Sequence, residues 1–340
     1  MKFLYALLVG VLSAATGFAA NAADWSIEVV SLPGGVAALF EDQGRTVVRT
    51  RSDAFFRLGL SESGALQASR LGNYEPPKRL RRSDMLPDGL VSVGSGHIAE
   101  AYLIGPTSRY RHGVMGDAIE AGGLRVLTRD GVTLDFRLPP DSVFEDLLPR
   151  LHDVDGDGDE EIVVVRSYLE SGAAVAVFDV RNGELIHIAE TESIGRSNRW
   201  LNPVGVADFD GDGQPEIAVV KTPHIGGILE LYQIEDGTVA IDLSARGYSN
   251  HFIGSRDLFL SRIADIDRDG VPDIVVPSAD RSTLRFVGMV GGKIKDLGTA
   301  ELPARVQTNM LPIDPESGTF VFGLADGALA VVHLGQASTP

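Results

Sequence analysis

The sequence predicts an all-β chain, a β-propeller of about six four-stranded blades with seven as the alternative. Three observations lead there. An acidic ten-residue phrase occurs three times, starting at Asp153, Asp208 and Asp265. The copies are separated by 208 − 153 = 55 and 265 − 208 = 57 residues, and a near-constant period of that size marks a propeller or a solenoid. After each copy the same order of apolar strands and turns recurs, enough for one four-stranded antiparallel meander per period, and such units repeated around an axis make a propeller.

The phrase has the spacing of a coordination loop. It reads Asp153-Val154-Asp155-Gly156-Asp157-Gly158-Asp159-Glu160-Glu161-Ile162, then Asp208-Phe209-Asp210-Gly211-Asp212-Gly213-Gln214-Pro215-Glu216-Ile217, then Asp265-Ile266-Asp267-Arg268-Asp269-Gly270-Val271-Pro272-Asp273-Ile274. Acids stand at positions 1, 3, 5 and 9 of every copy and glycine at position 6. Alternating aspartates converge when a loop winds around a hard cation, and glycine at 6 permits the turn that aims the carbonyl of position 7 inward. The expected ligands are therefore Asp153, Asp155, Asp157, Asp159 and Glu161; Asp208, Asp210, Asp212, Gln214 and Glu216; and Asp265, Asp267, Asp269, Val271 and Asp273. An EF-hand would place a bidentate Glu at position 12 between two helices. Position 12 is Val164, Val219 and Val276, inside β-branched runs suited to buried strands. Asp/Gly-rich phrases also form ordinary turns without metal. Three copies with four acids in register favour ligation, because carboxylates so close together repel unless a cation screens them. A flexible carboxylate-and-carbonyl loop suits Ca²⁺ better than the strictly octahedral Mg²⁺.

Each loop is followed by an apolar strand, a connector and a second strand, at Ala173–Val180, Ile228–Ile234 and Thr283–Val290. Turns such as Arg181-Asn182-Gly183 and Glu235-Asp236-Gly237 lead to a third. This pattern, Asp-x-Asp-x-Asp-Gly-x-x-[Asp/Glu]-Ile in a unit of this length, resembles the FG-GAP/VCBS repeat, the calcium-binding blade of integrin α-like propellers, over about Leu147 to Leu302. The resemblance implies that each loop joins the innermost strand of a blade to the next, on the lower face of the disc; since each phrase supplies a complete set of oxygen ligands, three Ca²⁺ are expected.

From the start of the chain, Lys2, the apolar run Phe3–Val11 and the small residues Ala19-Ala20-Asn21-Ala22 read as a secretory signal peptide over 1–22, cleaved after Ala22 or Ala23. The strongly apolar part is shorter than the ~20 residues of a spanning helix, and no later stretch is long and apolar enough. An exported protein follows, periplasmic or extracellular, with residues 23–340 as a single propeller domain expected to be a monomer. The chain has no cysteine, which excludes disulfides and thiolate metal sites. A net charge of −17 argues against nucleic-acid binding. Three Ca²⁺ would bring the formal value to −17 + 6 = −11.

The blades without the phrase are expected at Val36–Phe40, Thr46–Arg51, Phe55–Leu60 and Ala65–Leu71, then at Leu90–Val93, His97–Ile104, Leu124–Thr128 and Val132–Leu138 with a long loop Gly105–Gly122. Between them Pro76-Pro77-Lys78-Arg79-Leu80-Arg81-Arg82 reads as a solvated basic linker. Only three strands follow at the C-terminus, Ala304–Leu311, Gly318–Phe322 and Ala328–Leu334, so Trp25–Leu32 is expected to supply a fourth and close the ring.

Sequence signatures of nucleophile elbows, zinc helices, P-loops and dinucleotide folds are absent. In a propeller, the connectors opposite the calcium loops collect Arg109, Tyr110, Arg111, His112, Arg196, Arg199, Trp200, Asn202, Lys221, His224, Arg246, Asn250, His251 and Arg256. Arg199, Trp200, His224, His251 and Arg256 are the candidate contacts for an anionic or sugar ligand. In the plainer alternative these are polar connectors, with Trp200 and Phe252 filling gaps between blades. Two functions follow: a non-catalytic calcium propeller that binds a protein, glycan or anionic ligand, or a carbohydrate-active lyase or hydrolase on the same fold. An enzyme would need an acid or base beside the cluster, for which Asp117, Glu120 and Asp257 are the candidates.

Overall fold

A computed structural model describes residues 25–235, 238–313 and 318–335. The expected signal peptide, residues 1–22, lies outside the described residues, as does the Asp236-Gly237 turn tip. Every regular element among the described residues is a strand, so no helix is long and apolar enough to cross a membrane.

In chain order, β1 (Trp25–Val30) precedes a meander of β2 (Val36–Asp42), β3 (Arg45–Thr50), β4 (Phe55–Leu60) and β5 (Leu66–Leu71). A second consists of β6 (Ser92–Val93), β7 (Ile98–Thr107), β8 (Glu120–Thr128) and β9 (Thr133–Arg137), followed by the short β10 (Ser142–Phe144). The loop-bearing runs are β11 (Arg150–His152), β12 (Glu161–Tyr168), β13 (Gly172–Arg181) and β14 (Glu184–Glu190); β15 (Leu201–Ala207), β16 (Glu216–Lys221), β17 (Ile228–Glu235) and β18 (Thr238–Arg246); and β19 (Arg262–Ala264), β20 (Asp273–Pro277), β21 (Thr283–Met289) and β22 (Ile294–Glu301). The last strands are β23 (Leu311–Pro312), β24 (Thr319–Gly323) and β25 (Leu329–Leu334).

Four sheets have four strands each: β2-β3-β4-β5, β15-β16-β17-β18, β19-β20-β21-β22 and β1-β25-β24-β23. In the last, β1 pairs antiparallel with β25 from Trp25↔Leu334 to Val30↔Leu329, so the N-terminal strand does complete the C-terminal sheet. The fifth sheet departs from expectation. It has nine strands, because β10 joins the β6–β9 and β11–β14 meanders by pairing with both β8 and β12. Strand lengths explain this. β11 covers only Glu161–Val163 of β12, and β10 satisfies the remaining edge at Arg166–Tyr168, which would otherwise carry unpaired backbone groups.

Two other boundaries differ. β7 and β8 extend into the loop expected at Gly105–Gly122, leaving 108–119 as the connection. The strand expected at Ala304–Leu311 shrinks to Leu311–Pro312, because earlier backbone is satisfied irregularly: Gln307 N donates to Gly323 O and Gly323 N to Thr308 Oγ1.

The second strand of each loop-bearing run is the most enclosed. All of β20, and all but the last residue of β12 and β16, are buried, as runs covered on both faces must be. Outer strands such as β5 and β9 alternate with exposed residues. Two compact units result: the described residues of Met1–Pro77, Phe259–Gly288 and Lys295–Pro340, and Lys78–Leu258 with Met289–Ile294. In the first, Leu39, Val48 and Leu58 pack with Val321, Leu329 and Val331, and Trp25 stacks on Phe286 at 4.1 Å between ring centroids. In the second, the fully buried Phe178 meets Phe136 and Phe144 edge-on at 4.7 and 5.6 Å.

Replacing Phe178 with alanine should therefore cost about 3–5 kcal/mol, since a large ring with two aromatic partners leaves a cavity that strands cannot close. Urea denaturation measures it; a loss below about 1 kcal/mol would show that the site collapses freely.

Candidate functional site

Each acidic phrase links the first strand of its run to the second: β11 to β12, β15 to β16 and β19 to β20. The first acid holds the loop together. Asp153 accepts from Gly156 N at 2.7 Å and Gly158 N at 3.0 Å, and Asp208 accepts from Gly211 N and Gly213 N at 2.8 and 2.9 Å. In the third loop Asp265 accepts from Gly270 N at 3.2 Å. Positions 4 and 6 are both left-handed, at φ 78° and 91° for Gly211 and Gly213. The third loop places Arg268 at position 4 with φ 62°, where its guanidinium reaches Gly335 O. A side chain in that conformation costs roughly 1–2 kcal/mol.

The acid at position 9 opens the following strand and is buried: Glu161 and Glu216 are fully enclosed and Asp273 nearly so. One carboxylate oxygen accepts the backbone N–H of position 2, Val154 at 2.9 Å, Phe209 at 2.8 Å and Ile266 at 2.9 Å. The side chains of these position 2 residues are themselves core. The other oxygen of Glu161 and of Glu216, Oε1, is buried with no hydrogen-bond partner among the described residues. Burial, reinforced by the neighbouring loop acids, pushes the Glu161 and Glu216 carboxyls up to about 7 and Asp273 to about 6.

Oxygen atoms from Asp208, Asp210, Asp212 and Glu216 all lie within 4.8 Å of one another; so do those of Asp153, Asp155 and Glu161, and those of Asp265, Asp267 and Asp269. These clusters contain oxygen donors alone, and two of them include a buried carboxylate oxygen without a partner. That donor set fits a hard cation.

Residues 153–219 match the FG-GAP-like repeat. The matched span opens on the first acid of the first loop and ends within β16, so the FG-GAP-like repeat contains the first two loops whole. The third loop follows beyond it. No curated protein matches the chain.

The candidate ligand face looks different in three dimensions. Trp200, His224 and His251 do come together: Trp200 lies 4.7 Å from the His251 ring and stacks parallel to His224 at 6.1 Å. His251 Nε2 donates to Ser255 O at 3.1 Å, which leaves Nδ1 to accept from His224 Nε2 at 2.9 Å. Yet Trp200 and His251 are buried, and Trp200 Nε1 donates to Glu145 O at 2.9 Å, so neither ring offers a face to solvent. Arg256 binds the carboxylates of Asp88 at 2.6 Å and Asp117 at 2.8 Å, and Arg199 donates to Asn198 O. Arg109 is held by the carbonyls of Ser142 and Pro139. Of the residues expected to form an open basic pocket, Trp200 and His251 are buried, His224 is half-buried, and Arg256 is paired with two aspartates.

Sequence reasoning missed the acid at the centre of this region. Glu145 is fully buried, pairs with His112 Nδ1 at 2.7 Å and accepts from Ser167 Oγ at 2.5 Å. Its neighbour Asp146 pairs with Arg150 at 2.7 Å. The available signal was the pair Glu145-Asp146 set within the apolar run from Val143 to Leu148. Of the three acids considered for acid–base work, Asp117 is ion-paired, Asp257 is raised by burial to about 6, and Glu120 is buried. Burial first, then repulsion from Glu145, Asp117 and Asp146, pushes Glu120 up to about 9.

Two outcomes follow from this geometry. A Cβ at Gly213 would meet no atom within 4 Å, so Gly213→Ala should cost only the conformational term, roughly 1–2 kcal/mol of unfolding free energy measured by urea denaturation. For Glu120, the unfolded carboxyl ionises near 4.5 and the folded one near 9, so ionisation of the unfolded state erodes stability as pH rises through that window. Glu120→Gln should gain on the wild type by at least ~1 kcal/mol at pH 8 and lose that advantage near pH 4.5. Parallel pH curves in urea denaturation would contradict the assignment.

Proposed function

We propose that this protein is an exported, non-catalytic β-propeller in which the six four-stranded runs act as blades and three acidic loops each hold a Ca²⁺, making a stable scaffold that binds a protein or glycan partner. The observation that carries the calcium reading is the bare, buried Oε1 of Glu161 and of Glu216, each beside further acids of its own loop. A buried carboxylate oxygen without a donor costs stability unless a cation supplies the missing charge.

The proposed ligands are those spaced through each phrase, with Asp159, Gln214 and Val271 contributing main-chain carbonyls at position 7. Calcium would supply structural cross-linking, consistent with a chain that has no cysteine to form disulfides. The six-blade reading is supported by the four-stranded sheets and by the two meanders within the nine-stranded sheet. Export rests on the apolar segment at the start of the sequence.

Calorimetric titration of the calcium-stripped mature protein tests the reading, with three equivalents of Ca²⁺ expected. At a free concentration ~100 times its dissociation constant, each site adds about 2.7 kcal/mol, so chelation should visibly lower the melting temperature. Asp210→Ala should remove one equivalent and destabilise only in the presence of calcium. Absence of uptake, or a penalty for Asp210→Ala that persists under excess chelator, would refute calcium ligation there.

A further inference from the structure

The three acidic loops share a phrase but not a geometry. In the loop led by Asp208 the converging oxygens belong to Asp208, Asp210, Asp212 and Glu216, and in the loop led by Asp153 to Asp153, Asp155 and Glu161. Each of these sets includes a fully buried position 9 glutamate whose Oε1 has no hydrogen-bond partner among the described residues. In the loop led by Asp265 the set is Asp265, Asp267 and Asp269, all exposed, and position 9 is not part of it.

One methylene group accounts for the difference. Position 9 of the third loop is Asp273, shorter than glutamate by a CH₂. Its Oδ2 accepts from Ile266 N at 2.9 Å, and the N–H of Asp267 also stabilises its ionised form, so main-chain donors hold this carboxylate. Its Oδ1 lies against Gly288 of β21, where an added Cβ would come within 2.6 Å of it. Asp273 is thereby taken up by the sheet, whereas the glutamates of the other two loops keep an oxygen for an ion.

Two further features weaken the third loop. Asp153 and Asp208 each gather two glycine N–H groups, while Asp265 gathers one, from Gly270, so the third loop is less firmly preorganised. Arg268 also places a positive charge at position 4, where the other phrases have glycine. The first loop has a cation at hand as well, Arg181 at 3.4 Å from Asp155, but it retains its buried glutamate. Affinity in calcium loops follows ligand charge and rigidity and spans several decades.

We propose, building on the calcium reading above, that the loop led by Asp265 is a low-affinity site that fills after the other two. The protein then responds to calcium in a range where its two tight sites are already loaded. Those two sites belong to the unit of Lys78–Leu258, and the weak one to the unit containing Phe259–Gly288. A change in calcium concentration therefore acts on the second of these units while the first stays loaded.

The test is an NMR titration of the calcium-stripped mature protein with Ca²⁺, following the position 6 amides of Gly158, Gly213 and Gly270. Gly270 should reach its midpoint at a free calcium concentration at least about tenfold above the other two. Glu216→Asp, which gives the second loop the position 9 residue of the third, should move the Gly213 midpoint towards that of Gly270. Should that variant fail to fold, Asp273→Glu makes the same test in the other direction and should draw the Gly270 midpoint down. Gly270 saturating with or before the other two, or midpoints unmoved in the variant that folds, would overturn the low-affinity assignment and leave calcium binding standing. No shift at any of the three glycines would overturn calcium binding itself, and this assignment with it.

Discussion

One contact recurs in all three acidic loops and ties them to their sheets: a buried carboxylate at position 9 accepts the backbone N–H of position 2 across the loop. The same residue begins the most enclosed strand of its run, so the loop and the core share an atom-level anchor. Position 2 adds a buried Val154, Phe209 or Ile266 side chain. The arrangement leaves the second carboxylate oxygen with nothing to bind in the two loops led by Asp153 and Asp208. Folding these segments therefore creates an electrostatic debt that a cation is suited to settle, which is why the fold and the proposed metal chemistry are one problem.

The strands around the loops obey the same economy of backbone hydrogen bonds. β12 is longer than its first partner, and the three-residue β10 covers the excess, fusing two meanders that would otherwise be separate sheets. At the other end of the chain, β1 covers β25. β10 in this way covers backbone groups that would otherwise form an exposed edge, the feature through which β-proteins associate wrongly.

Much of this was legible in the sequence because it is periodic. The acids in register and the valine at position 12 each encode a local geometry that side-chain spacing reveals. β10 was not legible: three residues, Ser142-Val143-Phe144, carry no period, and their pairing depends on the length of a partner strand whose paired residues lie 166 − 144 = 22 to 168 − 142 = 26 positions away. The shortened β23 was obscured for a related reason, since Thr308 substitutes a hydroxyl for a ladder acceptor. The burial of Trp200 and His251 was not legible from residue type. Tryptophan, histidine and arginine in connectors suggested a surface, but His251 and Trp200 satisfy one another's surroundings in the core, and Arg256 answers two aspartates distant in sequence. Polar type does not report burial when the partner is remote.

Anomalous diffraction from crystals of the mature protein grown with calcium would place or exclude the ion directly. Ion density is expected in each acidic loop, with Glu161 Oε1 and Glu216 Oε1 about 2.3–2.6 Å away. Loops without such density, with those two oxygens turned to protein or water donors instead, would contradict calcium as the partner of the buried position 9 carboxylates.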